Sequence, residues 1–359
     1  MKINCDISDA KEDLEKLDKH FLEHLFRNEN EISSETEINV NNFYSWLKKK
    51  KILWKRLDNK KYNKIKIKNK VFDISNNEKI NKILISNGIF YHMRDSYAGK
   101  PSFLLAKIIK LQKKKQYTVI ILGKELARDL RRSYYSQCEL IGNHVFCRME
   151  AEKFYFSELI KKIKLKRLKR AEKEILISGL KSENLTLDDI VKNFDSTLEK
   201  QTKIHISHEL GHAITRDKKI FPNKLFFSIA NNFSYTDIEW FMDAIHEVLA
   251  ETVDGGRISM LIKTNNFFLT SLFFYEGISN FNVHPILEFK NKILFGNKKN
   301  LKKMFLESAH NKNFSSIEKM RSETYEEMKN FITKIKNINK ISNKQVTRKN
   351  ILKIINQYK

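Results

Sequence analysis

Residues that interrupt secondary structure are rare in this sequence, and their scarcity limits the folds open to it. Proline occurs 3 times and glycine 10 times in 359 residues, which is few for an all-β protein with its many turns. Hydrophobic residues make up 41% of the chain, enough to bury a core in one large or two modest domains. The composition therefore predicts a mainly helical protein.

Local patterns predict where the helices and strands lie. Helical spacing of apolar residues predicts amphipathic or short helices over residues 9–27, 78–86, 102–114 and 124–135, with a polar linker at 28–42. A β-branched apolar run at 117–122 predicts a buried strand, and residues 143–148 predict a second one. Thr186 and Asp189 predict a variant capping box that opens a further helix.

A long helix is predicted over residues 153–181, and it carries a cluster of basic residues. Eight bases lie between Lys161 and Lys173, against the single acid Glu172. The whole chain has a net charge of +25, but only 13 of its 68 basic residues are Arg. The cluster could bind an anionic partner, either nucleic acid or a membrane surface. The alternative is a compositional excess of Lys on an ordinary solvated helix face.

The cysteine content and the lack of a signal-peptide or transmembrane pattern predict where the protein is located. The three cysteines, Cys5, Cys138 and Cys147, form no CxxC pair and do not suggest a disulfide framework, which suits a reducing compartment. Residues 1–19 lack the apolar core of a signal peptide, and no run is long enough for a transmembrane helix. We therefore expect a cytoplasmic protein, with signal-less export as the alternative.

The most specific motif is His208-Glu209-Leu210-Gly211-His212. On a helix, His208 and His212 project from one face, one turn apart, so two ring nitrogens can reach one cation. Glu209 can hold a water on that metal and take its proton, because zinc lowers the pKa of the water to about 7. The motif predicts a zinc site with Glu209 as the catalytic base.

A second helix downstream is predicted from residue 236 to residue 253. Thr236 and Glu239 form a capping-box pattern at its start, and Gly255 and Gly256 follow its end. One face of this helix is acidic, and its members recur at spacings of three and four: Trp240, Asp243, Glu247, Glu251 and Asp254. Several carboxylates on one face repel each other, and a cation facing them would remove that penalty.

The His208–His212 segment resembles the active-site helix of the zincin metallopeptidases, over about 50 residues from His205 to Gly256. The metzincin branch is excluded because Thr215 and Lys218 stand where its Gly and third His would be. The gluzincin branch takes its third ligand from a downstream helix in an ExxAD or ExxSD pattern. Residues 247–251 resemble that pattern, although Glu251 replaces Asp.

The resemblance implies a zinc ion (Zn²⁺) held by His208, His212 and Glu247, with Glu251 accepting the other ring N–H of a histidine. The alternative register makes Glu251 the ligand, with Asp254 behind it. The resemblance also implies a donor for the oxyanion, for which Tyr235, Arg257, Tyr275 and His284 are the possible residues. His205 and His246 are more typical of polar positions beside the motif than of ligands.

These observations predict an α+β, predominantly helical protein with a zincin-like catalytic domain and a small sheet beside the motif helix. The predicted boundaries give a helical accessory region with a few strands at 1–182, a catalytic domain at 183–335 and a basic helix or tail at 336–359. The predicted function is a zinc metallopeptidase acting on a peptide or protein substrate. The alternatives are a basic nucleic-acid-binding protein and a non-catalytic regulatory protein with a zincin domain.

Overall fold

A computed structural model of the chain describes most of it in residue ranges separated by gaps. These ranges are 40–49, 64–67, 70–73, 76–95, 101–128, 137–220, 236–281 and 284–339, with a few single residues besides. Several predicted features lie outside them: the helix at residues 9–27, most of the linker at 28–42, most of the tail at 336–359, and Tyr235. The described end of that linker, residues 40–42, is helical, so the linker prediction is wrong there.

Helices predominate among the described residues, and strands are confined to the N-terminal part. The strands are β1 (Lys64–Ile67), β2 (Lys70–Asp73), β3 (Ile89–Asp95), β4 (Pro101–Lys114), β5 (Tyr117–Arg128), β6 (Cys138–Ile141) and β7 (His144–Arg148). The helices are α1 (Val40–Lys49), α2 (Asn77–Leu84), α3 (Met149–Lys164), α4 (Arg170–Ser182), α5 (Leu187–Lys192), α6 (Phe194–Asp217), α7 (Thr236–Thr252), α8 (Arg257–Thr264), α9 (Phe267–Ser279), α10 (Pro285–Phe295), α11 (Lys298–His310) and α12 (Ser315–Asn339). The α+β, predominantly helical fold is thus confirmed.

The chain divides into two compact units, residues 1–137 with 146–152, and residues 138–145 with 153–359. The boundary that the sequence suggests near residue 183 remains a prediction. The strands form a two-stranded sheet, β1-β2, and a five-stranded sheet in the order β3-β4-β5-β7-β6. In the first unit, α2 contacts β3 through Asn81, whose side chain donates to the Tyr91 carbonyl at 2.6 Å and accepts from the Tyr91 N–H at 2.8 Å.

Two helices predicted in this region are wrong. Residues 102–114 belong to strand β4, which pairs antiparallel with both β3 and β5. Residues 124–128, the described part of the second predicted helix, continue strand β5. The apolar run at 103–106 suits a strand as well as a helix, and pairing with two neighbouring strands decides between them. The partner strands β3 and β5 are neighbours of β4 in the chain, but the spacing of apolar residues within one segment does not show that it pairs with them.

The second unit is a set of helices packed around aromatic side chains. Phe241 of α7 lies between Phe289 of α10 and Phe331 of α12, with ring centroids 5.4 and 5.5 Å apart. Arg321 of α12 donates to the Thr252 carbonyl at 2.8 Å, and so satisfies a carbonyl at the C-terminal end of α7. These contacts hold α7 in a packed core, where its position depends on α10 and α12.

The single helix predicted over residues 153–181 is also wrong, because the structure has two helices, α3 and α4, with a turn between them. Lys166 adopts a left-handed backbone with φ 53°. Its N–H donates to the Ile163 carbonyl, and the Arg167 N–H donates to the Lys162 carbonyl, at 3.1 and 3.0 Å. This pattern is a Schellman motif, which ends a helix. Periodicity missed it because the left-handed residue here is Lys rather than Gly.

Other local predictions are confirmed. Helix α2 corresponds to the segment predicted at 78–86, although it ends at Leu84 and a short 3-10 helix follows at Ile85–Asn87. Strands β5 and β7 correspond to the segments predicted at 117–122 and 143–148. The Thr186 hydroxyl accepts from the Asp189 N–H at 3.2 Å, and the Asp189 carboxylate accepts from the Thr186 N–H at 2.8 Å. Helix α7 corresponds to the helix predicted at 236–253, while the side chains of 236–238 lie outside the described part.

Two further observations bear on the expectations about location. Cys138 of β6 and Cys147 of β7 are both disulfide-bonded, whereas the sequence indicated no disulfide framework. Nothing in their spacing distinguishes such a pair from two free thiols. Within the described ranges, none of the helices combines the length and the apolar character needed to span a bilayer.

Candidate metal centre

Helices α6 and α7 pack against each other and bring the predicted ligands together. On α6, Gly211 and Ala213 are buried, and His208 and His212 lie on the side that faces α7. On α7, Val248 and Leu249 are fully buried, and Glu247 lies beside them with about a third of its side chain exposed. The apolar residues of both helices thus fix which polar side chains meet at the helix contact.

The two histidines and Glu247 form a compact triangle of ligand atoms. The Nε2 atoms of His208 and His212 are 3.1 Å apart. The Glu247 carboxylate oxygens lie 3.3 Å from His208 Nε2 and 3.5 Å from His212 Nε2. All three groups offer one ligand atom each within 4.8 Å of the others. The structure therefore brings together the three residues that the gluzincin register names.

The dimensions of this triangle fit a tetrahedral zinc ion. Two ligand atoms at about 2.0–2.1 Å from zinc, separated by the tetrahedral angle, lie about 3.3 Å from each other. The three observed separations, 3.1, 3.3 and 3.5 Å, scatter around that value. Three protein ligands leave one tetrahedral position for a water or substrate atom, as in catalytic rather than structural zinc sites.

Glu251 lies behind His208 rather than in the triangle. Its carboxylate oxygen is 3.4 Å from His208 Nδ1, on the far side of the ring from Nε2. A proton on Nδ1 pointing at Glu251 leaves the Nε2 lone pair free for a metal. The geometry thus favours Glu247 as ligand and Glu251 as the group that orients His208. Asp254, the partner in the alternative register, accepts from the Ser259 hydroxyl at 3.3 Å.

The fully buried Glu251 is balanced by two cationic side chains. Lys290 of α10 donates to its carboxylate at 2.7 Å, and Arg257 of α8 lies 3.7 Å away. Arg257 also bonds to Glu276 of α9 at 2.6 Å, and Glu276 lies 3.8 Å from His205. Burial raises the pKa of Glu251, but Lys290, His208 and Arg257 together outweigh it and hold the pKa well below the usual range.

The electrostatics of the triangle favour a positive charge at its centre. Burial alone would lower the pKa of His208, but Glu251 and Glu247 outweigh burial and raise it to about 10. Burial raises the pKa of Glu247, and the two histidines bring it well below its ordinary value. Two carboxylates facing two imidazoles therefore stabilise a cation, which a proton or a metal ion can supply.

The predicted base, Glu209, points towards strand β6. Its carboxylate accepts a hydrogen bond from the Leu140 backbone N–H. Burial is the main cause that raises the pKa of Glu209, and nearby Glu247 adds to it, while His208 and His212 act in the opposite direction. Glu209 is therefore close enough for His208, His212 and Glu247 to influence its pKa, and burial makes its carboxylate a stronger base than an exposed one.

Gly211 allows α6 and α7 to approach closely. A Cβ atom at this position would overlap the carbonyl oxygen of Ala250 on α7. The obstacle is backbone rather than the end of a flexible side chain, so it cannot move without moving the helix. The glycine inside the histidine motif is therefore needed for the distance between the helices that carry His212 and Glu247.

Replacing Gly211 with Ala is expected to push the two helices apart. We expect a loss of about 1–3 kcal/mol in the free energy of unfolding and weaker zinc binding, because the triangle of ligand atoms widens. Denaturant unfolding and zinc titration measure the two effects. Gly277→Ala is the matched control, since a Cβ there would meet Leu301 Cδ1, a flexible side-chain end, at 2.9 Å. Equal zinc affinity in both variants would contradict the role given to Gly211.

Lys290 is expected to be important for stability as the main cation facing Glu251. Lys290→Met leaves a buried carboxylate with its partner removed, at a cost of about 3 kcal/mol or more. The control is Lys303→Met on α11, which removes an exposed i,i+4 pair with Glu307 at 3.7 Å and should cost less than about 1 kcal/mol. Chemical denaturation compares them, and similar losses in both variants would exclude a special role for Lys290.

The other residues named from the sequence are held by contacts outside the triangle of ligand atoms. The ring of His246 lies 4.4 Å from that of His212, and burial and the neighbouring histidines lower its pKa to about 4. His205 contacts Gln201 at 3.0 Å. Arg257 forms ion pairs with Glu276 and Glu251. His284 caps helix α10 by accepting from the Ile286 N–H, and Tyr275 bonds to Ser279. No single oxyanion donor is selected by these contacts.

Lys290 was missed by sequence reasoning altogether. It lies 39 residues after Glu251, in a segment where the sequence indicated no site residue. One lysine among so many carries no local signal. Only the packing of α10 on α7 selects it.

Comparison with known families covers the N-terminal part of the chain. Residues 1–148 match a family model described as the N-terminal domain of a family of unknown function (DUF6866). The matched span ends before helix α6, so it does not include His208, His212 or Glu247. Neither the curated proteins nor the solved structures contain a match to this chain.

Proposed function

We propose that the protein is a zinc-dependent peptidase whose metal is held by His208, His212 and Glu247. The observation that carries the proposal is the triangle of ligand atoms, whose 3.1, 3.3 and 3.5 Å edges suit tetrahedral zinc. A zinc ion bound there would polarise a substrate carbonyl and lower the pKa of a coordinated water. The zincin resemblance of the histidine motif supports the same conclusion independently of the distances.

Glu209 acts as the general base and then as the general acid. Its carboxylate takes a proton from the attacking water and delivers it to the nitrogen of the leaving amine, so no net proton is gained or lost by the side chain. The hydrogen bond from the Leu140 N–H holds one face of the carboxylate. Burial raises the pKa of Glu209 and so makes its carboxylate a better proton acceptor than an exposed glutamate.

Glu251, Lys290 and Arg257 serve to orient His208. Glu251 accepts the Nδ1 proton of His208, and this selects the tautomer whose Nε2 can bind a metal. Lys290 and Arg257 keep Glu251 ionised in its buried position. A protonated Glu251 would accept this proton less strongly, and the ring would be free to turn.

A peptide is proposed as the substrate on two grounds. The first is the resemblance to peptidases. The second is strand β6, which ends the strand order of the described sheet and supplies the Leu140 N–H to Glu209. An extended peptide pairs readily with the edge of a sheet, and an edge beside the base would bring the scissile bond near it.

Elemental analysis of the purified full chain tests the metal directly. The proposal expects about one zinc per chain, removed by a chelator such as 1,10-phenanthroline and restored by added zinc. His208→Ala should contain little zinc. His310→Ala, which changes an exposed histidine at the end of α11, is the matched control and should retain the wild-type amount. A wild-type protein without zinc, which also fails to bind added zinc, would rule the proposal out.

A further inference from the structure

A second charged feature of the chain is the turn between α3 and α4 with its flanking bases, residues 161–173, here called the basic turn. We propose that the basic turn docks the protein on an anionic lipid surface, with Leu165 inserted among the lipid headgroups. This inference concerns a different part of the protein from the metal centre and does not depend on the proposed peptidase activity.

The first observation is an excess of exposed positive charge. All eight basic side chains of the turn are exposed. Lys161 pairs with Glu158 at 3.5 Å and Arg170 with Glu174 at 2.9 Å. The side-chain nitrogens of the other six form no ion pair within 4.0 Å among the described residues: Lys162, Lys164, Lys166, Arg167, Lys169 and Lys173. The helix dipole stabilises basic side chains near a helix C-terminus, but this effect reaches only the bases in the last turn of α3.

The second observation is an apolar side chain at the tip. Leu165 is 50% exposed, one of few large hydrophobic residues so exposed in the described part of the chain. It immediately precedes the left-handed Lys166, in the Schellman motif that ends α3. The backbone is therefore ordered by hydrogen bonds, and it presents Leu165 between Lys164 and Lys166 rather than against the core.

Helix α4 gives the basic turn a rigid base. Gly179 of α4 is in close contact with Ser271 of α9, and Glu174 forms ion pairs with both Arg170 and Lys302 of α11. Ile175 and Leu176 are buried beneath. A surface that binds the turn therefore meets a preformed arrangement of charges, and little conformational entropy is lost on binding.

The composition of the turn favours lipid over nucleic acid. Six of its eight bases are Lys, which binds as a point charge, whereas phosphate and base recognition in nucleic acids relies more on Arg. The turn has no aromatic side chain on which a base could stack. An exposed leucine surrounded by lysines matches the headgroup region of an anionic bilayer, where a few apolar atoms and several bases act together.

Vesicle co-sedimentation of the full chain tests the proposal. We expect strong binding to vesicles of 30% phosphatidylserine in phosphatidylcholine, weak binding to pure phosphatidylcholine, and weaker binding at higher salt. Changing Lys162, Lys164 and Lys166 together to Gln should lower the partition coefficient about fivefold per residue, or about a hundredfold in all. Leu165→Gln alone should lower it about fivefold.

The controls separate the basic turn from the net charge of the chain. Changing Lys200, Lys263 and Lys334 together to Gln removes the same charge from exposed sites on other helices, and Val191→Gln removes an exposed apolar side chain elsewhere. Both should bind nearly as wild type. Equal losses in the control and turn variants, or equal binding to both vesicle types, would overturn the proposal. So would lysine-dependent binding to a 20-nucleotide DNA or RNA without any binding to vesicles.

Discussion

Glu209→Gln is expected to retain a full complement of zinc and to lose most of its peptide hydrolysis. Gln has nearly the same size as Glu and can still occupy the position beside Leu140, but it cannot take a proton from water. Removing a positioned general base typically costs about 10²–10⁴ in rate. The histidines and Glu247 are unchanged, so the metal should stay bound.

The measurement follows cleavage of a mixture of unfolded proteins by mass spectrometry, with zinc content determined on the same preparations. Glu199→Gln, on the same helix and exposed in a pair with Lys203, is the matched control and should cleave at the wild-type rate. A wild-type protein that holds zinc but cleaves nothing, with no change on Glu209→Gln, would point to a non-catalytic zinc protein instead. In that case only the zinc content of Glu209→Gln could be compared with that of the wild type.

Glu247→Gln is expected to weaken zinc binding more than Glu251→Gln. Glu247 faces both Nε2 atoms, so its charge is lost directly from the ligand triangle. Glu251 contacts only Nδ1 of His208, and loss of such an orienting partner typically costs about 10–100-fold in metal affinity. Both substitutions conserve side-chain size, which keeps the packing of α7 comparable in the two variants.

Competition with a chromogenic zinc chelator gives both affinities, and unfolding curves of the metal-free variants show whether either change alters the fold. The proposed register requires the larger loss at Glu247. The opposite order would make Glu251 the ligand, with Asp254 behind it, and would mean that α7 turns relative to α6 when zinc binds. Equal and small losses would argue against a zinc site between these two helices.

Local features of the sequence predicted much of the candidate site. A spacing of four residues placed His208 and His212 on one helix face, because an α-helix repeats every 3.6 residues. The acidic face of α7 followed from the same geometry. The carboxylates at positions 247 and 251 lie one helical turn apart on the same face. From the sequence, only the resemblance to the gluzincin pattern favoured Glu247 over Glu251 as the ligand. The packing of α7 on α6 places the first among the Nε2 atoms and the second behind a ring.

Features that depend on pairing between strands or on an uncommon backbone were not predictable in this way. Residues 102–114 carry an apolar pattern that suits helix and strand alike, and pairing with β3 and β5 decides for the strand. The break at Lys166 requires a left-handed Lys, where sequence rules expect Gly.

The sequence by itself determined the helical character of the chain, the histidine motif and the excess of positive charge, since each depends on residue type and short-range spacing. Tertiary structure alone decided that Lys290 and Arg257 face Glu251, that Gly211 lies against Ala250 and that Leu165 stands exposed at a turn. These depend on how helices pack and end, and packing is set by the whole core rather than by any segment of it.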